Sequence, residues 1–101
     1  MIKVYGSNMC RDCRQLKQNL DVYEINYQFI DINENLRNLS RFLRLRDTRV
    51  VFANCKEIGD IGVPAIVFDS GEVTLKWRKW LTSQGYELIG EGGSACDLPG
   101  E

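Results

Sequence analysis

The hydrophobic period changes twice within residues 2 to 32, and this limits the folds open to the chain. Ile2-Lys3-Val4-Tyr5 alternates and is rich in β-formers, which predicts a first strand. Gly6-Ser7-Asn8 is loop chemistry. Residues 10 to 20 then take helical spacing. Cys13, Leu16 and Leu20 fall at i, i+3 and i+7, and Arg14, Gln15 and Lys17 point outward. Residues 25 to 32 return to β character through Tyr27, Phe29, Ile30 and Ile32. Strand, helix and strand make a right-handed crossover with parallel strands.

The remainder extends this pattern. Asn33 is placed to cap a second helix running to about Arg46, with Leu36, Leu39, Phe42 and Leu43 as its buried stripe. Thr48 is placed to cap a short third helix through Val50, Val51 and Ala53, ended by Gly59. The apolar run after Pro64, Ala65-Ile66-Val67-Phe68, predicts a buried strand. Residues 69 to 72 form a turn, and Val73 to Lys76 a partner strand. Trp77, Trp80 and Leu81 mark a last helix up to Gln84, with Gly85 as its stop. The expectation is an α/β fold of order βαβ-α-ββα, a mixed four-stranded sheet with helices on both faces. Residues 1–85 would form the single domain, and the glycine-rich residues 86–101 a loose tail.

Four cysteines and no histidine narrow the chemistry. Without imidazole there is no Ser-His-Asp or Cys-His triad and no zinc site of the usual histidine kinds. Thirteen Lys and Arg against fourteen Asp and Glu argue against a dedicated nucleic-acid binder, which needs surplus cations to displace counterions. No run of 18 apolar residues predicts a membrane span, and Met-Ile-Lys-Val-Tyr-Gly has no signal-peptide core. The expectation is a cytoplasmic chain with reduced thiols.

Cys10-Arg11-Asp12-Cys13 stands between the first strand and the first helix. Unpaired amides and the positive helix end face the first sulfur and favour its thiolate, so its pKa is expected below the free value of about 8.5. The three-residue offset brings Cys13 to the same face, able to resolve a mixed disulfide formed on Cys10. Cys13 also belongs to the apolar stripe and is expected to be the more buried sulfur. Arg11 favours the thiolate and Asp12 disfavours it. A half zinc site is the other reading of the pair, but it needs two more ligands, and Cys55 and Cys96 form no second C-x-x-C; no metal is assigned.

On these residues the chain resembles the thioredoxin superfamily, and within it the glutaredoxin-like proteins. Val4-Tyr5 before the loop, the Cys10–Cys13 motif, Val63-Pro64 before a buried strand, and the following hairpin carry the resemblance over residues 1 to about 84. It implies a cis Pro64 facing the nucleophile, with Val63 presenting backbone groups to an extended substrate. It implies a dithiol–disulfide oxidoreductase with Cys10 as nucleophile and Cys13 as resolving thiol. Val63, Pro64 and Arg11 are the substrate-contact candidates. The partners would be disulfide-containing proteins, with glutathione as co-substrate or a thioredoxin-reductase-type reductant, and no resident cofactor. The same resemblance admits an iron–sulfur cluster carrier or a redox-inert adaptor.

Departures from the family pattern are explicit. Ser7-Asn8-Met9 holds no lysine, Arg11-Asp12 replaces Pro-Tyr, and Leu75-Lys76-Trp77-Arg78 stands where Gly-Gly and aspartates are usual. Gly92, Gly93 and Asp97 lie beyond the last helix and inherit no glutathione-binding role. Cys55 reads as a small buried residue and Cys96 as an exposed tail thiol. Arg37, Arg41 and Arg44 share one helix face and read as a solvated surface, with an acidic contact as the functional alternative. Trp77 and Trp80 read as core anchors.

Overall fold

The computed structural model describes residues 1–90. Its strands are β1 (Ile2–Gly6), β2 (Tyr27–Asp31), β3 (Ala65–Val67) and β4 (Val73–Thr74), in the spatial order β2-β1-β3-β4. β1 lies parallel to β2, with Ile2 opposite Tyr27 and Gly6 opposite Asp31. β3 runs antiparallel to β1, and β4 antiparallel to β3. Helix α1 (Arg11–Val22) makes the parallel crossover. Helix α2 (Leu36–Thr48), a 3-10 turn (Val50–Phe52) and helix α3 (Ala53–Ile58) connect β2 to β3, and α4 (Trp77–Ser83) follows β4. The chain therefore has the expected mixed α/β sheet. No helix of the described residues is long and apolar enough to cross a membrane.

Strand alternation divides the core into two layers. Val4 and Ile66 pack with Leu16 and Leu20 of α1 and Trp77 and Leu81 of α4. Their neighbours Tyr5 and Ala65 point the other way, to Ile30, Ile32, Phe42 and Phe52. Helices thus cover both faces of the sheet. Phe42 is central to the second layer, with its ring 6.2 Å from Tyr5 and edge-on to Phe52 at 5.8 Å. Trp77 is buried, and the half-buried Trp80 meets Phe68 edge-on at 5.4 Å, so both tryptophans anchor α4.

Local differences from the expectation have identifiable causes. Asn35, not Asn33, caps α2, its side chain accepting from the Asn38 amide at 2.8 Å. Asn33 is instead tied to Ser7. The α2 stripe is also rotated. Leu36 is 81% exposed and Leu43 41% exposed, while Phe42 is fully buried and Leu39 and Leu45 flank it. One helical step is about 100°, so once Phe42 takes the slot over Tyr5, Leu43 is swung to the rim. Thr48 is the last residue of α2 and donates to the Arg44 carbonyl at 2.7 Å; it caps nothing downstream. The 3-10 turn that follows has no side-chain cap. β4 is shorter than expected, because Lys76 already precedes α4 as its N-cap. Gly59 does end α3, with φ of 79°.

The segment expected to be loose from residue 86 onward is, over residues 86 to 90, held against α1. Asn19 is fully buried on α1. Its amide donates to the Gln15 carbonyl at 2.9 Å and the Ile89 carbonyl at 3.1 Å, and its oxygen accepts from the Ile89 amide at 2.9 Å. Tyr86 stacks on Tyr23 at 4.6 Å, and Leu88 packs on the α1–α4 layer. A single buried amide thus mimics a strand partner for one residue of the chain end. Gly92, Gly93, Cys96 and Asp97 lie outside the described residues.

Asn19→Leu is expected to strand the Ile89 amide and carbonyl, costing about 1–3 kcal/mol. Urea unfolding of wild type and variant checks this, and an unchanged midpoint would show the clip to be incidental.

Candidate active site

The site begins with the way β1 ends. Gly6 closes the strand beside Cys13, so closely that a Cβ there would lie 2.8 Å from the Cys13 sulfur. Only glycine leaves room for that sulfur. Ser7 then organises the loop. It is buried, its hydroxyl accepts from the Met9 amide at 3.1 Å and donates to the Asn33 side chain. Its carbonyl accepts from the Cys10 amide at 3.1 Å, and its own amide faces the Cys13 sulfur at 3.4 Å. Asn33 follows β2, so the parallel pairing of β1 and β2 is what brings it to Ser7.

Cys10 is the N-cap of α1, with extended backbone at φ −96° and ψ 125°. Its sulfur accepts the Cys13 amide at 3.2 Å. That is the bond a serine or aspartate oxygen makes at ordinary N-caps, here given to a thiol. Cys10 is partly exposed, whereas Cys13 is fully buried. Hydrogen bonding from the Cys13 thiol holds the Cys10 pKa down to about 6 from 9.0, assisted by the Cys13 and Asp12 amides and opposed by burial and the Asp12 charge. The same contact pushes the Cys13 pKa up, and burial adds to it. The two sulfurs are therefore chemically unequal near neutral pH: one an accessible thiolate, the other a buried thiol donating to it.

Val63–Pro64 is a cis peptide bond directly before β3. Both residues line a cleft of about 450 Å³ whose other walls include Asp12, Lys76, Arg78 and Lys79. The motif's contribution to that cleft is Asp12. Arg11 is exposed in the first turn of α1 and is not part of its wall. Cys55 is buried at the cleft's floor, and burial pushes its thiol pKa up, so it stays protonated. The loop before Pro64 is held by Arg46 of α2, which donates to the carbonyls of Ile61 at 2.9 Å and Asp60 at 2.6 Å. Arg37, Arg41 and Arg44 are exposed, and Arg41 lies over the Tyr5 ring at 5.9 Å.

The structure places Cys10 and Cys13 at the start of α1 and Val63–Pro64 directly before β3, the positions expected from the sequence, while three supports escape sequence reasoning. Ser7 carried a faint signal, a small polar residue three before a helix cap. Arg46 was visible only as one cation in a row. Arg78 lies 66 residues from Asp12, the carboxylate it meets, and no local pattern connects them.

The family model for glutaredoxin matches residues 2–72. A protein of Haemophilus influenzae of uncharacterised function is 33% identical over 76 residues, covering 75% of this chain and 88% of the relative.

Iodoacetamide alkylation of Cys10 in the reduced protein is expected to reach half its limiting rate near pH 6. Cys13→Ala removes the largest stabiliser of the thiolate and moves that midpoint upward. Peptide mass mapping across pH checks both, and a midpoint unmoved by Cys13→Ala would transfer the effect to the helix end alone. Linkage adds a sign. Because the folded pKa is depressed, reduced wild type should gain stability over Cys10→Ser as pH rises from about 6 towards 9.

Proposed function

This chain belongs to the glutaredoxin family, and from that premise we propose that it is a thiol–disulfide oxidoreductase working through Cys10 and Cys13. The observation that carries the reading is the asymmetric pair: a partly exposed sulfur capping α1 with its pKa lowered to about 6, and a buried sulfur that donates to it. A thiolate is the competent nucleophile, and an attacking group with a pKa near ambient pH is close to optimal for exchange.

The chemistry follows from that asymmetry. The Cys10 thiolate attacks one sulfur of a substrate disulfide, forming a mixed disulfide and releasing the first substrate thiolate. Cys10 then carries no charge, so the contact that raised the Cys13 pKa is lost. Cys13 loses its proton to the released thiolate and attacks the Cys10 sulfur. The second substrate thiolate departs and a Cys10–Cys13 disulfide remains. Two electrons and a proton have passed to the substrate. Glutathione or a thioredoxin-reductase-type donor returns the two electrons.

Val63 and Pro64 support the reading as the edge for the substrate's extended backbone, since they line the same cleft as Asp12 of the motif. Arg11, exposed next to Cys10, is assigned a substrate contact on the same reading. The substrates on this reading are protein disulfides or glutathione mixed disulfides, and Leu75-Lys76-Trp77-Arg78 stands where the glutathione-binding pattern has Gly-Gly and aspartates. A cytoplasmic setting, which keeps thiols reduced, suits this cycle.

Reduction of insulin or of a protein mixed disulfide is expected to fall by more than about 100-fold in Cys10→Ser. Cys13→Ser should still attack, and should accumulate the mixed disulfide on Cys10, seen as a mass increase equal to the substrate thiol. Equal rates for wild type and Cys10→Ser would remove the reading.

A further inference from the structure

Asp12 poses a problem that its own helix does not solve. Its carboxylate sits in the first turn of α1, two residues from the Cys10 sulfur, and its charge opposes a thiolate there. Asp12 suits the positive end of α1, yet it is the wrong charge to place between two redox thiols. The fold supplies the counterpart from α4. The Arg78 guanidinium donates to Asp12 Oδ1 at 2.9 Å and to Gln15 Oε1 at 2.8 Å. Its cation also lies 4.3 Å from the Trp77 ring centre. Trp77 is buried in the α1–α4 layer, so the guanidinium rests on a fixed platform and spans one full turn of α1.

We propose that Arg78 is a positioning residue for thiol–disulfide exchange: it draws the Asp12 carboxylate to α4 and offsets its charge, so that Cys10 keeps its thiolate despite the acid in its motif. The inference rests on Cys10 being the reactive thiol. Arg78 acts through Asp12 and not on the sulfur itself. The charge on Cys10 is governed by the Cys13 thiol, the Cys13 and Asp12 amides and the Asp12 carboxylate. Lys76, the N-cap of α4, Arg78 and Lys79 on α4, and Asp60 from the loop before Pro64 line the same cleft as Asp12, and Arg11 precedes Asp12 on α1. The Asp60 carboxylate already accepts from the Ile61 amide at 2.8 Å. Arg78 alone among the α4 cations is ion-paired to the motif among the described residues.

The pair is not sealed from water. The side chains of Arg78 and Asp12 are 39% and 48% exposed. Its influence is therefore modest and falls with ionic strength. Exchange also differs from a static salt bridge in one respect. The thiolate is discharged when the mixed disulfide forms, so Arg78 matters most for the free reduced enzyme and for the first attack.

The test is a double-mutant cycle on the reduced full chain, read by the pH midpoint of Cys10 alkylation at low salt. This readout requires no disulfide substrate, so it stands apart from whether the protein reduces one. Arg78→Gln should raise the midpoint by about half a unit. Asp12→Asn should lower it. Arg78→Gln placed in the Asp12→Asn background should then have little effect, because its target is gone. Arg78→Lys keeps the charge without the planar guanidinium that lies over Trp77 and should restore part of the shift. About 0.5 M salt should shrink the Arg78→Gln shift. Circular dichroism of every variant shows whether α1 and α4 remain folded. The idea is overturned if folded Arg78→Gln leaves the midpoint unmoved, or shifts it equally with and without Asp12.

Discussion

The double ladder of β1 is the constraint on which the rest depends. β1 is hydrogen-bonded to β2 on one edge and β3 on the other, so its register determines both core layers at once. Val4 and Tyr5 are adjacent in sequence and serve opposite faces. A slip of one residue would send each to the other's layer, and both layers would be lost. The same register brings the C-terminal end of β1 beside the loop after β2, where Ser7 meets Asn33, and beside the start of β3, where Pro64 stands. The loop that carries Cys10 is positioned by sheet pairing before any of its own contacts are counted.

From that fixed point the chemistry is local. Gly6 permits the Cys13 sulfur to tuck under the strand end, and the loop delivers Cys10 to the N-cap of α1. One sulfur then takes the amide that a cap must satisfy, and the other is buried behind it. Burial disfavours charge on Cys13, while the helix end and the Cys13 thiol favour it on Cys10. Two identical side chains three residues apart become a partly exposed thiolate and a buried thiol through environment alone. No histidine is needed, since proton affinity is adjusted by hydrogen bonding and not by a base.

The supports around the motif come from distant parts of the chain, and each answers a different physical need. Arg46 on α2 binds two carbonyls of the loop preceding Pro64, which would otherwise rely on water. Asn19 on α1 satisfies both backbone groups of Ile89 and draws the segment after α4 onto the α1 surface. Arg78 reaches from α4 to the acid in the motif. α1 is thus braced on three sides: by β1 beneath, by α4 at its first turn, and by residues 86 to 90 along its later turns.

Much of this was legible in the sequence, and the division is instructive. The strand of Ile2 to Tyr5, the α1 stripe of Cys13, Leu16 and Leu20, the stop at Gly59, and the Cys10 and Val63–Pro64 positions all follow from spacing within a few residues. Such features depend on the period of a single element and on backbone chemistry at its ends, which are properties of the local chain. The stripe of α2 was misread because Leu36, Leu39, Phe42 and Leu43 offer several apolar lines, and only the neighbouring Tyr5 and Phe52 rings select the one through Phe42. Asn33 was a plausible cap until Ser7 claimed its side chain. The pairing of Asp12 with Arg78 and of Asn19 with Ile89 had no local trace at all. The sequence by itself determined which elements form and where the thiols stand on them. Only the tertiary structure decided which of several equivalent side chains would be buried and which charge would meet which, because those choices are made by atoms brought together across the sheet and across tens of residues of chain.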